Sequence, residues 1–134
     1  MRQIKFRGKS ADGKWHYGDL VHEGDEPCIL DHSDNGVVWN VIPNTVGQFI
    51  GLHDRNGKEI YEGDIITLKE NYPRVILWDK VSWALMPCKY YNDKYFWIMN
   101  LQHPGNDWWE KFAEEMEVAG NIHDNPKQLK PNEL

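Results

Sequence analysis

Three Asx-Gly pairs, Asp12-Gly13, Asn35-Gly36 and Asn56-Gly57, punctuate the first half of the chain, each between short runs rich in β-branched or aromatic residues. A two-residue type I′ turn needs positive φ at both central positions, which Asn, Asp and Gly adopt at least cost. A chain punctuated in this way folds back on itself repeatedly. The flanking runs are Lys5 to Lys9 and Trp15 to Val21, Pro27 to Leu30 and Val37 to Ile42, and Leu52 to Arg55 and Lys58 to Tyr61. Antiparallel pairing is therefore expected.

Glu62-Gly63-Asp64 then breaks the chain ahead of the apolar run Ile65 to Lys69. The runs Val75 to Trp78, Ser82 to Met86 and Tyr95 to Ile98 continue as a meander. One helix interrupts it. Asn106 or Asp107 can cap it, with Glu110 at capping-box spacing from Asp107, and Trp109, Phe112, Ala113 and Met116 recur along one face. Val118 to Ile122 returns as a closing strand, Asn125-Pro126 ends it, and residues 127–134 read as a loose tail.

The expected fold is mainly β: antiparallel hairpins and a meander forming a small, partly open SH3-like barrel or sandwich, with one short helix near 107–116. Residues 1–126 form a single compact domain that could divide into lobes 1–55 and 56–126. The expected core is Phe6, Trp15, Tyr17, Val46, Phe49, Ile60, Ile65, Trp78, Phe96, Phe112, Met116 and Ile122.

Composition narrows the function. A net charge of −6 over 134 residues disfavours broad contact with a phosphate backbone. The cations are nonetheless concentrated at the start, as Arg2, Lys5, Arg7, Lys9 and Lys14, whereas Glu110, Glu114, Glu115 and Glu117 make the later part acidic. No leader peptide is recognisable and no apolar run reaches membrane-spanning length, so a cytoplasmic protein without a membrane partner is expected. Cys28 and Cys88 stand far apart without metal spacing and read as buried thiols.

The chemistry that could make an enzyme is missing from the sequence. His16, His22, His32, His53, His103 and His123 form no HxH or HExxH arrangement, Ser10 and Ser82 sit outside any GxSxG elbow, and no phosphate-binding glycine loop occurs. No catalytic residue, metal or cofactor is expected. The polar residues Gln48, Asp54, Glu62, Asp64, Asn121 and Asp124 admit two readings. They can cap turns and tie the ends of the chain together, which is the favoured reading, or converge on a pocket for a small polar ligand.

Ile4-Lys5-Phe6-Arg7-Gly8-Lys9 with Trp15-His16-Tyr17-Gly18-Asp19-Leu20, the stretch from Thr45 to Ile66, and Glu117-Val118-Ala119-Gly120-Asn121-Ile122-His123-Asp124-Asn125-Pro126 resemble the YopX family of small phage and prophage proteins. The resemblance implies a mostly β fold, a bacterial or phage origin and oligomerisation, and it carries over no activity. A non-enzymatic binding or assembly module is the expected function. Its partner would be another protein or a second copy, and Trp108, adjacent to Trp109 but off its helical stripe, is a candidate anchor. The alternative is a small barrel that stacks single-stranded nucleic acid on aromatics beside a local basic groove. The feature that separates them is whether Arg2, Lys5, Arg7 and Lys9 share a surface with Trp15, Tyr17 or another exposed aromatic.

Overall fold

The computed structural model describes residues 3–68, 73–79, 82–91 and 111–129. Ten strands make up two antiparallel sheets: β1 (Phe6–Lys9), β2 (Trp15–Glu23), β3 (Glu26–Asp31), β4 (Val37–Asn40), β5 (Gly47–His53), β6 (Glu59–Tyr61), β7 (Asp64–Leu68), β8 (Arg74–Asp79), β9 (Ser82–Pro87) and β10 (Met116–Asn121). One sheet has the order β4-β3-β2-β1-β5-β6 and the other β10-β7-β8-β9. Neither closes into a barrel among the described residues. The chain divides into two compact units, Met1–Gly51 and Leu52–Leu134.

In the first unit β1 pairs with β2 on one side, from Phe6 opposite Gly18 to Lys9 opposite Trp15, and with β5 on the other, Phe6 opposite Gln48 and Arg7 opposite Gly47. β1 to β4 follow the expected runs, whereas β5 begins at Gly47 although a run is expected there only over Leu52 to Arg55, and the turns differ. Asn56 does not have positive φ, so Asn56-Gly57 is not a type I′ turn. The Asp54 amide donates to the Lys58 carbonyl and the Gly57 amide to that of Asp54. This leaves a three-residue loop closed by Gly57 at φ 82, a turn followed by a left-handed glycine. Ser10 to Lys14 repeats the pattern, with Gly13 at φ 87. Only Asn35 and Gly36 are both left-handed, and they terminate a short 3-10 turn over His32–Asp34 rather than form a two-residue hairpin. The tight turn missed in the sequence is Gly24-Asp25, between the paired Glu23 and Glu26.

The second unit is built on β7. β10 pairs along one edge of it and β8 along the other, while β8 also pairs with β9. Ile65, Val75, Cys88 and Leu129 form one buried cluster, with Tyr91 and Ile122 packed against it; Leu77, Ala84 and Met86 form another. Residues 127–129, expected as loose tail, instead belong to a 3-10 turn over Pro126–Leu129 that buries Leu129. Among the described residues, helix covers 111–113, and Met116 already opens β10. Trp108 and Phe96 lie outside the described residues, as do the runs at 95–98 and 107–109.

Phe49, Ile60, Ile65 and Met116 are buried as expected, whereas Phe6, Trp15, Val46, Phe112 and Ile122 are half-buried. Two core expectations are wrong: Tyr17 is 39% exposed and Trp78 is 47% exposed. Trp78 lies opposite Trp83 near the end of the β8–β9 pair and meets it edge to face at 4.9 Å, so an aromatic partner replaces core burial there. Phe49→Ala is expected to cost on the order of 3–5 kcal/mol in urea unfolding, and Trp78→Ala clearly less, because nearly half of that side chain is already in solvent. Similar losses from the two would contradict this core.

Candidate functional site

Strand alternation and register decide which side chains of β1 and β2 meet. Arg7 lies opposite Tyr17 and Lys9 opposite Trp15, so cations at every second position of one strand face aromatics at every second position of the next. The Arg7 guanidinium sits 4.6 Å from the Trp15 ring centroid and the Lys9 ammonium 6.0 Å from it. Arg7 is buried at 4% exposure. Its charge therefore holds Trp15 in place, and Tyr17 beside it is 39% exposed. Lys5, Arg7 and Lys9 thus share a surface with Trp15 and Tyr17; Arg2 lies outside the described residues.

This face ends in a cleft of about 280 Å³, lined by Gln3, Ile4, Lys5, Tyr17, Gly18, Asp19 and the segment Asp31-His32-Ser33. Gly18 forms part of its wall for a steric reason. At φ 157 a Cβ there would collide with the Leu30 carbonyl of β3. Across the cleft His32 Nε2 lies 2.7 Å from Asp19 Oδ2. Asp31 Oδ1 accepts from the Ser33 amide at 2.9 Å and the Ser33 hydroxyl at 2.6 Å. The Ser33 hydroxyl holds the Asp31 carboxyl below its ordinary pKa; burial, the next largest influence, opposes this, and the Ser33 and Asp34 amides assist. Sequence reasoning missed this site. Asp31-x-Ser33 was the legible signal, an Asx turn, but nothing in the linear order joins Asp19 to His32.

The polar residues singled out in the sequence are placed as follows. Asp54 is buried, and its Oδ1 accepts from the amides of Asn56 and Lys58 while its Oδ2 accepts from Val118 of β10, each at 2.9 Å. Burial would raise its pKa, but the Val118, Lys58 and Asn56 amides outweigh that and lower it. Asp64, 1% exposed, accepts from the Tyr61 amide at 2.8 Å. Asn121 Oδ1 accepts from the amides of His123 and Asp124, and its Nδ2 donates to Asp124 Oδ2 at 3.0 Å. Asn121 and Asp124 are therefore brought together around one turn, and Asp54 and Asp64 serve others. Glu62 is half-buried, and after burial its charge is the second cause that raises the Tyr91 pKa. Gln48 sits on β5 opposite Phe6 in the first unit.

Folding also brings together Ser10, Asp12 and His16. Ser10 Oγ lies 2.9 Å from His16 Nε2, donates to Asp12 Oδ1, and is 3.2 Å from the Lys14 carbonyl. In a catalytic triad the carboxylate orients the histidine. Here it bonds the serine, and the His16 ring stacks on Trp39 at 4.2 Å, an arrangement suited to pinning the loop. Cys88 is buried, which raises its pKa to about 11 and leaves a thiol of little reactivity. Among the described residues no three His, Cys, Asp or Glu side chains gather as metal ligands, and no helix is long and apolar enough to cross a membrane.

The geometry defines a two-sheet antiparallel β protein with a cation-aromatic face. The family model described as YopX protein matches residues 5–130, and the chain belongs to that family. Among solved structures it is similar to protein EF1440 from Enterococcus faecalis, with a TM-score of 0.52 and 16% identity, over 97% of this chain and 100% of that one. That likeness is one of fold. No curated protein matches the chain.

Asp54→Ala is expected to cost on the order of 3 kcal/mol in denaturant unfolding, because it strands the buried Val118 amide as well as the loop amides. A carboxyl with depressed pKa contributes stability above its unfolded pKa and loses it as pH falls through the folded value. The parent should therefore lose more stability than Asp54→Asn over roughly pH 5 to 2. Parallel pH profiles would contradict the assignment.

Proposed function

We propose that this chain is a non-enzymatic binding module that works through the β1–β2 face of its first unit, and that single-stranded nucleic acid is the ligand this face fits best. The observation that carries the reading is the register Arg7 opposite Tyr17 and Lys9 opposite Trp15. Bases stack on aromatics whatever their sequence, and cations alongside take the phosphates. The net charge of −6 limits affinity without removing the local field.

Lys5 and Lys9 are the cations placed to take phosphates, since Arg7 is buried against Trp15. Two such contacts give a slope of log K against log salt near −1.4, or about 7-fold weaker binding between 50 and 200 mM salt. Fluorescence anisotropy with a labelled dT10 strand should yield that slope. Tyr17→Ala should weaken binding on the order of 5- to 150-fold, the worth of one stacked base, and Trp78→Ala should leave it unchanged. No binding at 50 mM salt, or binding indifferent to Tyr17, would contradict the proposal.

A second reading, self-association, is supported by a different feature. Residues 35–52 contain no ionisable side chain. Within them β4 forms one end of its sheet, with Val37 and Val38 exposed and no proline or charge to block pairing. A second copy can meet this edge without like-charge repulsion. Light scattering should report a mass above the monomer that Val38→Lys lowers; a monomeric parent would end this reading.

A further inference from the structure

Resting on the nucleic-acid reading, the geometry points to the cleft beside Tyr17 as a base-reading site, one that prefers guanine in a single strand. The cleft is walled by the exposed Tyr17 ring and lined by Lys5 and by the carboxylates of Asp19 and Asp31. A phosphate is repelled by the acidic side and attracted by Lys5, so a nucleotide enters with its backbone toward β1 and its base edge toward Asp19 and Asp31. Asp31 uses Oδ1 on Ser33, and Asp19 uses Oδ2 on His32. The Asp34 amide also donates to the Asp31 carboxyl, but a carboxylate offers about four acceptor positions, and among the described residues Asp19 Oδ1 receives no donor, which leaves acceptor capacity at the site of the base edge.

A carboxylate only accepts, which selects among the bases. Adenine and cytosine present one amino group beside a ring acceptor, and thymine or uracil one N–H between two carbonyls. Guanine alone sets two adjacent donors, N1–H and the 2-amino group, against both oxygens or against one oxygen of each carboxylate. Single-stranded segments expose this edge when the base is unstacked onto an aromatic.

The test compares dT10 strands carrying one central dG, dA or deoxyinosine, titrated against the full chain by anisotropy at 50 mM salt. The central dG should bind on the order of 5- to 10-fold tighter than dT10 itself, the discrimination of one good bidentate contact. Deoxyinosine, which lacks only the 2-amino group, should lose most of that gain without any change to the protein. Asp31→Asn should bring dG and dT within about twofold of each other while dT10 still binds. Equal binding of all four strands, still dependent on Tyr17, overturns the inference and leaves the nucleic-acid reading standing. Absence of binding by any strand overturns both. An arginine-containing peptide that binds with the same Asp31 dependence while dG shows no gain also overturns the inference, since a guanidinium presents the same two-donor fork.

Discussion

The structure of the first unit depends on β1 being paired on both edges. Four residues lie against β2 and two of them also against β5, and a strand held on both sides cannot slip by one residue without turning its side chains to the opposite face. That constraint puts Arg7 and Lys9 on the side of Trp15 and Tyr17, and it turns Gly8 toward Val41, whose side-chain carbons would lie about 3 Å from any Cβ added there. The register fixes the charge pattern. A basic segment in an acidic chain thereby becomes an ordered row of cations against aromatic rings.

The second unit solves a related problem with a buried carboxylate. Asp54 closes its own loop and reaches β10, 64 residues further on, through the Val118 amide. The Arg55 amide donates to the Met116 carbonyl beside it. An edge strand otherwise presents open backbone groups; here a loop and its carboxylate occupy part of that edge. Asn121 plays the local counterpart, accepting from two amides of the turn that follows β10. The polar residues that look most like a site in the sequence are engaged largely in backbone hydrogen bonds.

Much of the fold was legible because alternation and turn residues are local signals. Most strand positions and the antiparallel pairing follow from them; β5, which begins at Gly47, does not. Turn geometry was less legible. Asn56-Gly57 satisfies the rule for a two-residue turn, yet the Asp54 side chain binds the amides of Asn56 and Lys58 and favours a longer loop. Tyr17 and Trp78 look like core because large aromatics usually are, and only the register reveals that one sits across from a buried arginine and the other across from Trp83. The cleft was invisible for a similar reason. Asp19 and His32 are 13 residues apart and meet only through the β2–β3 pairing and the turn after it.

The central claim is that binding belongs to the β1–β2 face. Backbone amide chemical-shift mapping of the full chain during titration with a dG-containing strand tests it most directly. The account predicts that amides of Lys5 to Lys9, Trp15 to Asp19 and Asp31 to Ser33 shift together and saturate together, while those of β7, β8 and β10 stay in place. Shifts centred on the second unit, or none anywhere at low salt, would contradict it.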